Sequence, residues 1–283
     1  MVLATQTPRL LARGVSLSRL KPGGKDGPDG EVLNSDEPFG GTWSEYYTVG
    51  GEDQPFRLAI PDIRMPRNQY WPLHWHDCWI VVVVLDGSAL LCDWWMKPGD
   101  VLVSPAKEEY GPVVSGPKGV QLIEVFAQDI GALGGYAPEC HDHPVVNTLY
   151  RANGMAAPIL PRPKGSEGHA GNQVTPLATL PNVRTGHLRG GQRWDLGAPD
   201  DPERGVMLDT KLAAGEVVPP HRHRDWRGLM IWDGSMRIGD HELTKDDVVI
   251  VEPDAEVPAY QAGPQGVHMM EFCRTAAAEP LVF

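Results

Sequence analysis

The stretch WPLHWHDCWIVVVVLDGS, residues 71–88, returns in altered form as VPPHRHRDWRGLMIWDGS, residues 218–235. His74 matches His221, His76 matches His223, Trp79 matches Trp226, and Asp86-Gly87-Ser88 matches Asp233-Gly234-Ser235. The spacing of 147 residues, from 74 to 221, also relates Asp100 to Asp247, Gly116-Pro117 to Gly263-Pro264, Gly119-Val120 to Gly266-Val267 and Glu124 to Glu271. A match this long without net insertion is an internal repeat, and a repeat decides the fold before any single element does. The chain reads as two related small β domains, each with one His-x-His pair.

Length and composition agree. A chain of 283 residues holds two domains of ordinary size, each large enough to bury a core. Hydrophobic residues make up 41% and charged residues 22%, the balance of a globular protein rather than a disordered one. The 32 glycines and 27 prolines suit many short strands joined by turns. A formal net charge of −12 argues against nucleic acid, whose recognition starts from a basic face. No run approaches the roughly 18 apolar residues of a membrane span. Four cysteines without CxxC spacing read as reduced thiols, and a cytoplasmic location is expected. MVLATQTPRLLARGVSLSRL has three arginines and no acid, as a transit peptide would, but an N-terminal arm is the preferred reading.

The expected organisation is an arm over 1–40, a first domain over 41–150, a Gly/Pro-rich linker over 151–190 and a second domain over 191–283. Strands are expected at Ile80 to Leu85, Ser88 to Trp95, Val101 to Val103 and Val120 to Phe126, arranged as an antiparallel meander. Asp86-Gly87 is read as the turn between the first two, and Lys97-Pro98-Gly99-Asp100 as the next turn. The second copy gives Leu229 to Trp232, Met236 to Ile238, Val248 to Val251 and Val267 to Cys273. The linker has room for strands near Val174 to Leu188.

Histidines at i and i+2 project from one face of a strand, so each pair can converge on one metal ion. The pair, then Gly87, then Pro98-Gly99-Asp100 and Pro105, resembles the motifs of the cupin superfamily. The resemblance covers roughly residues 60–127 and 205–274. It implies an all-β bicupin: two tandem cupin-like antiparallel barrels of the jelly-roll, double-stranded β-helix type. The chain also departs from the pattern. Where the family places a Glu after its histidine pair, this sequence has Ile80/Val81 and Arg227/Gly228. Where it places a last His, the first copy has Tyr110 and the second has Val257-Pro258-Ala259-Tyr260.

Each candidate has two readings. His74 and His76 are metal ligands with open positions for substrate, or relics hydrogen-bonded in a dry barrel. His221 and His223 offer the same choice, with Arg222, Arg224 and Arg227 close enough to oppose a cation. Arg227 is an anchor for a substrate carboxylate or a member of a surface salt bridge. Tyr110 is a ligand or proton donor, or a packed tyrosine. His268 would complete a three-His set with His221 and His223, although it is not at the family's position. His141 and His143 form another pair outside the repeat, Cys78 shares a strand face with His76, and the tryptophans line a pocket or an interface. Trp75, by strand parity, packs outside the barrel.

The resemblance implies one divalent metal per active barrel, with Fe(II) the first expectation and Zn, Mn, Ni or Cu the others. It also implies a small-molecule substrate, aromatic or carboxylate-bearing, and a homodimer. The leading reading is a non-haem oxygenase of dioxygenase type. The alternatives are a non-redox metal-dependent lyase, isomerase, cyclase or hydrolase, and a non-catalytic ligand-binding bicupin.

Overall fold

The computed structural model describes residues 10–13, 43–50, 57–127, 135–136, 174–202 and 204–274. The pair His141/His143 lies outside them. Two compact units divide the chain, one including Ala59–Leu188 and the other Arg189–Phe283. Among the described residues the regular structure is strand, apart from a short 3-10 turn at Leu177–Thr179.

Strands are numbered in chain order. The first barrel uses β2 (Trp43–Val49), β3 (Leu58–Met65), β4 (Tyr70–Trp71), β5 (His74–Trp75), β6 (Ile80–Leu91), β7 (Trp94–Met96), β8 (Asp100–Ser104), β9 (Val113–Phe126), β10 (Gly135–Tyr136) and β11 (Arg184–His187). The second uses β1 (Leu10–Arg13), β12 (Gln192–Leu196), β13 (Gly205–Leu212), β14 (Val217–Val218), β15 (His221–Arg222), β16 (Arg227–Ile238), β17 (His241–Thr244), β18 (Val248–Val251), β19 (Glu256–Val257) and β20 (Tyr260–Arg274). The main sheets run β11-β8-β6-β9-β3-β2 and β1-β18-β16-β20-β13-β12. The expected meander is replaced by a crossing order. β9 pairs with both β6 and β3, and β20 with both β16 and β13. The small sheets β5-β10 and β15-β19 carry the first histidine of each pair.

The repeat survives down to single hydrogen bonds. Lys97 N donates to Asp100 Oδ2 at 2.9 Å, and Thr244 N to Asp247 Oδ2 at 2.8 Å. Gly99 has φ 87° and its counterpart Asp246 has φ 72°. Aspartate is among the few non-glycine residues that tolerate this left-handed turn, so Lys245-Asp246-Asp247 can replace Pro98-Gly99-Asp100.

Asp86-Gly87 is not the hairpin turn its composition suggests. β6 runs unbroken through it, with register shifts between Val84 and Asp86 and between Gly87 and Ala89. β16 shifts in the same two places. Gly87 has φ 71°, and a Cβ there would overlap the carbonyl oxygen of Gly119 on β9. The glycine therefore serves a bulge at a close backbone approach.

Alternation along the strands fills each interior. Ile80, Val82 and Val84 of β6 pack with Leu102, Leu122 and Phe126. Leu229, Ile231, Val249, Val251, Val267 and Met269 do the same in the second barrel. Burying each such side chain contributes roughly 1.5–3 kcal/mol.

Candidate metal centre

His74 is fixed by its backbone and by its ring. Its N–H donates to Tyr110 O at 3.1 Å and its carbonyl accepts from Tyr110 N at 3.0 Å. This two-bond antiparallel bridge places the side chains of His74 and Tyr110 side by side. The ring centroids are 4.8 Å apart. His74 Nδ1 lies 2.8 Å from the carbonyl oxygen of Pro72. A carbonyl can only accept, so Nδ1 carries the hydrogen and Nε2 the lone pair. Metal-binding imidazoles are set up in this way, with one nitrogen tied back so that the other can ligate.

His76 is held by the same short segment, its carbonyl accepting from Lys107 N at 2.7 Å. Its Nε2 is 3.0 Å from the Tyr110 hydroxyl. Its Nδ1 is buried without a hydrogen-bond partner among the described residues. The two imidazoles stand edge to face with centroids 5.2 Å apart, and Phe126 packs on His76 at 4.9 Å. Burial lowers the pKa of His74 to about 4. Burial, and then the His74 charge, push that of His76 well below its ordinary value. Both rings are neutral at physiological pH, the form that binds metals.

The second barrel repeats the frame and changes the chemistry. His221 Nδ1 donates to Pro219 O at 2.8 Å, and the centroids of His221 and His223 are 4.9 Å apart. Val257, however, pairs with His221 where Tyr110 pairs with His74. Arg227, at the register of Ile80, is buried and donates from its guanidinium to Glu271 Oε2 at 2.7 Å. Glu271 also accepts from Thr210 Oγ1 at 3.1 Å. Burial first, then the charges of Arg227 and His221, lower His223 to about 3. Arg227 thus forms a buried ion pair, not one on the surface.

His268 is not brought to His221 and His223. Val267 and Met269 face the barrel core, so His268 between them faces the other way. Its Nε2 is bonded to Asp209, and its ring packs on Trp232. Gln121 and Asp62 are the corresponding pair in the first barrel. The remaining candidates separate cleanly. Cys78 and Trp71 join the first core, Trp75 is buried outside that cluster, and Trp95 is exposed. Of the acids near the first pair, Asp77 is exposed and Glu109 buried.

The donor chemistry fits a divalent cation in the first barrel: two neutral imidazoles and a phenol oxygen. Among the described residues no group of three or more His, Cys, Asp and Glu gathers, and the oxygen that meets His76 is the Tyr110 hydroxyl. In the second barrel the Arg227 guanidinium lies close enough to depress His223, and the tyrosine beside the pair is Tyr260, whose ring centroid is 5.7 Å from that of His221.

Two buried acids join the candidates, Glu124 and Glu271. They belong to the repeat, and their parity matches the inward residues of β9 and β20. That parity, in runs otherwise apolar, is the signal that marks them.

The chain matches no protein-family model and no curated protein sequence. Solved structures do resemble it. A mutant of oxalate decarboxylase from Bacillus subtilis is 14% identical, with 99% of this chain and 80% of that chain covered at a TM-score of 0.53. A provisionally assigned dioxygenase from Nostoc punctiforme is 10% identical, with 89% and 85% covered at a TM-score of 0.52. The likeness is one of fold: two cupin-like jelly-roll barrels in tandem.

Proposed function

We propose that the first barrel is a catalytic centre holding one divalent metal ion through His74, His76 and Tyr110. Its reaction is that of a non-haem oxygenase on a small aromatic or carboxylate-bearing substrate. The observation that carries this reading is the tied-back His74 ring beside a tyrosine hydroxyl that meets His76. Two imidazoles and one oxygen donor, with positions left open, suit Fe(II) first and Mn(II) next. Bound there, the metal would supply activation of O2 and of a substrate oxygen.

The chain's own residues do the rest. Pro72 O fixes the tautomer of His74, and Tyr110 holds a proton at its hydroxyl within reach of His76. The apolar wall of Val82, Leu102 and Phe126 excludes water. The second barrel is read as a stabilising copy whose Arg227–Glu271 pair stands where a metal would.

Oxalate decarboxylase, with its Mn(II) centres, supports a divalent metal and also a second, non-redox reading as a lyase. Metal analysis of the purified protein, followed by turnover of a panel of small aromatic and dicarboxylic acids with and without O2, tests both. One metal per chain with O2 uptake is expected. Equal turnover without O2 would transfer the site to the lyase reading, and no bound metal would leave a ligand-binding bicupin. A cytoplasmic homodimer is part of the proposal, with sedimentation of the purified protein the check on its oligomeric state.

A further inference from the structure

Glu124 lies near the C-terminal end of β9, opposite Val82 of β6. It shares its strand face with Leu122 and Phe126, both of which line the first barrel's interior. Its side chain is therefore directed inward, and only 6% of the residue is exposed. No hydrogen bond or ion pair reaches its carboxyl group among the described residues. An isolated carboxyl in such a place is expensive to retain without a use.

The other half of the repeat shows what is missing. Glu271, its counterpart, is held by Arg227 and Thr210. At those registers the first barrel has Ile80 and Ile63, both buried. Both partners are replaced by hydrocarbon, yet the acid stays. Phe126, one inward position along β9, packs on His76. Two residues of strand span roughly 7 Å, so Glu124 lies on the same interior face as the His–Tyr group, with Phe126 the next inward side chain towards it.

We infer that Glu124 is the acid–base residue of the first barrel, giving its proton to a small anionic ligand bound between it and His74, His76 and Tyr110. The transfer is simple: the carboxylic O–H bond breaks, the proton joins the ligand's anionic oxygen or nitrogen, and a carboxylate remains. The reverse step restores the acid. The inward neighbours on β3, β6, β8 and β9 (Ile63, Ile80, Val82, Leu102, Leu122) are apolar. The titratable groups of this interior are His76 beyond Phe126, His74, Tyr110, Cys78 and Cys92. Burial alone raises the Glu124 carboxyl to about 7, where an acid can both give and take a proton.

This inference rests on the metal reading of the same barrel, and the test separates the two. The full-length protein is loaded with Co(II), and azide binding is followed by visible absorption against pH, with Glu124→Gln as the variant. Infrared spectra of both proteins report the neutral carboxylic C=O stretch. In the wild type, azide affinity should fall by about tenfold for each pH unit above about 7, beyond any fall seen in Glu124→Gln. The neutral-acid band should be lost over the same range and be absent from the variant. Identical azide slopes in two cobalt-loaded proteins would overturn the inference while leaving the metal site standing. Failure to bind cobalt would remove the metal reading, and the role of Glu124 with it.

Discussion

The Tyr110 hydroxyl lies 3.0 Å from Nε2 of His76, whereas Val257 occupies the corresponding register of the second barrel. The second barrel's tyrosine, Tyr260, instead meets His221 ring to ring at 5.7 Å. Tyr110→Phe should keep the fold, since it loses one hydrogen bond of about 1 kcal/mol. It should lower metal affinity by at least about tenfold, the scale seen when a metal site loses a supporting group. Competition against a chelator measures this. Unchanged affinity would remove Tyr110 from the ligand set.

The two histidine pairs should behave differently under the same change. His74→Ala should abolish stoichiometric metal binding, and His221→Ala should leave it intact. Elemental analysis of dialysed protein reads both. Metal lost only in His221→Ala would place the centre in the wrong barrel.

Much of this is legible in the sequence. The repeat showed two barrels, and the i, i+2 histidines gave each barrel an inward-facing pair. The bulge at Gly87 was not legible, because Asp-Gly is the composition of a hairpin turn. Only the approach of Gly119 from β9, over thirty residues away in sequence, distinguishes the two. The direction of His268 was hidden for a related reason. A histidine in a β run can face either side, and the parity of its strand becomes readable once Val267 and Met269 are seen in the core. Arg227 reads in the sequence as an anchor for a substrate carboxylate or a member of a surface salt bridge, whereas its partner is the buried Glu271, forty-four residues onward.

The Arg227–Glu271 pair gives an energetic prediction. Breaking a buried pair by removing one partner costs about 3–5 kcal/mol, because the other charge stays buried. Arg227→Ile, which copies the first barrel's Ile80, should lower stability by that order. The double variant Arg227→Ile/Glu271→Leu should recover most of the loss, since apolar replacement of both partners is often neutral. Denaturant midpoints at constant m-value decide it. A double variant as unstable as the single one would show that the pair is not the source of the effect.

The last prediction concerns pH, where the two histidines of the first barrel and Glu124 act in opposite directions. His74 has its folded pKa lowered from 6.5 to about 4. Between those values the unfolded chain binds the extra proton, so stability falls as pH drops from 6.5 towards 4. Glu124 has its folded pKa raised from 4.5 to about 7. Between those values the folded chain holds the extra proton, so this contribution is complete below 4.5 and is lost as pH rises to 7. The full shift corresponds to roughly 3 kcal/mol. Glu124→Gln keeps the volume and removes the titration. It should therefore be stabilised relative to wild type at pH 8 by more than at pH 5. Thermal melts of the metal-free proteins at the two pH values measure the difference. An equal effect at both would mean that Glu124 is not the buried neutral acid described above.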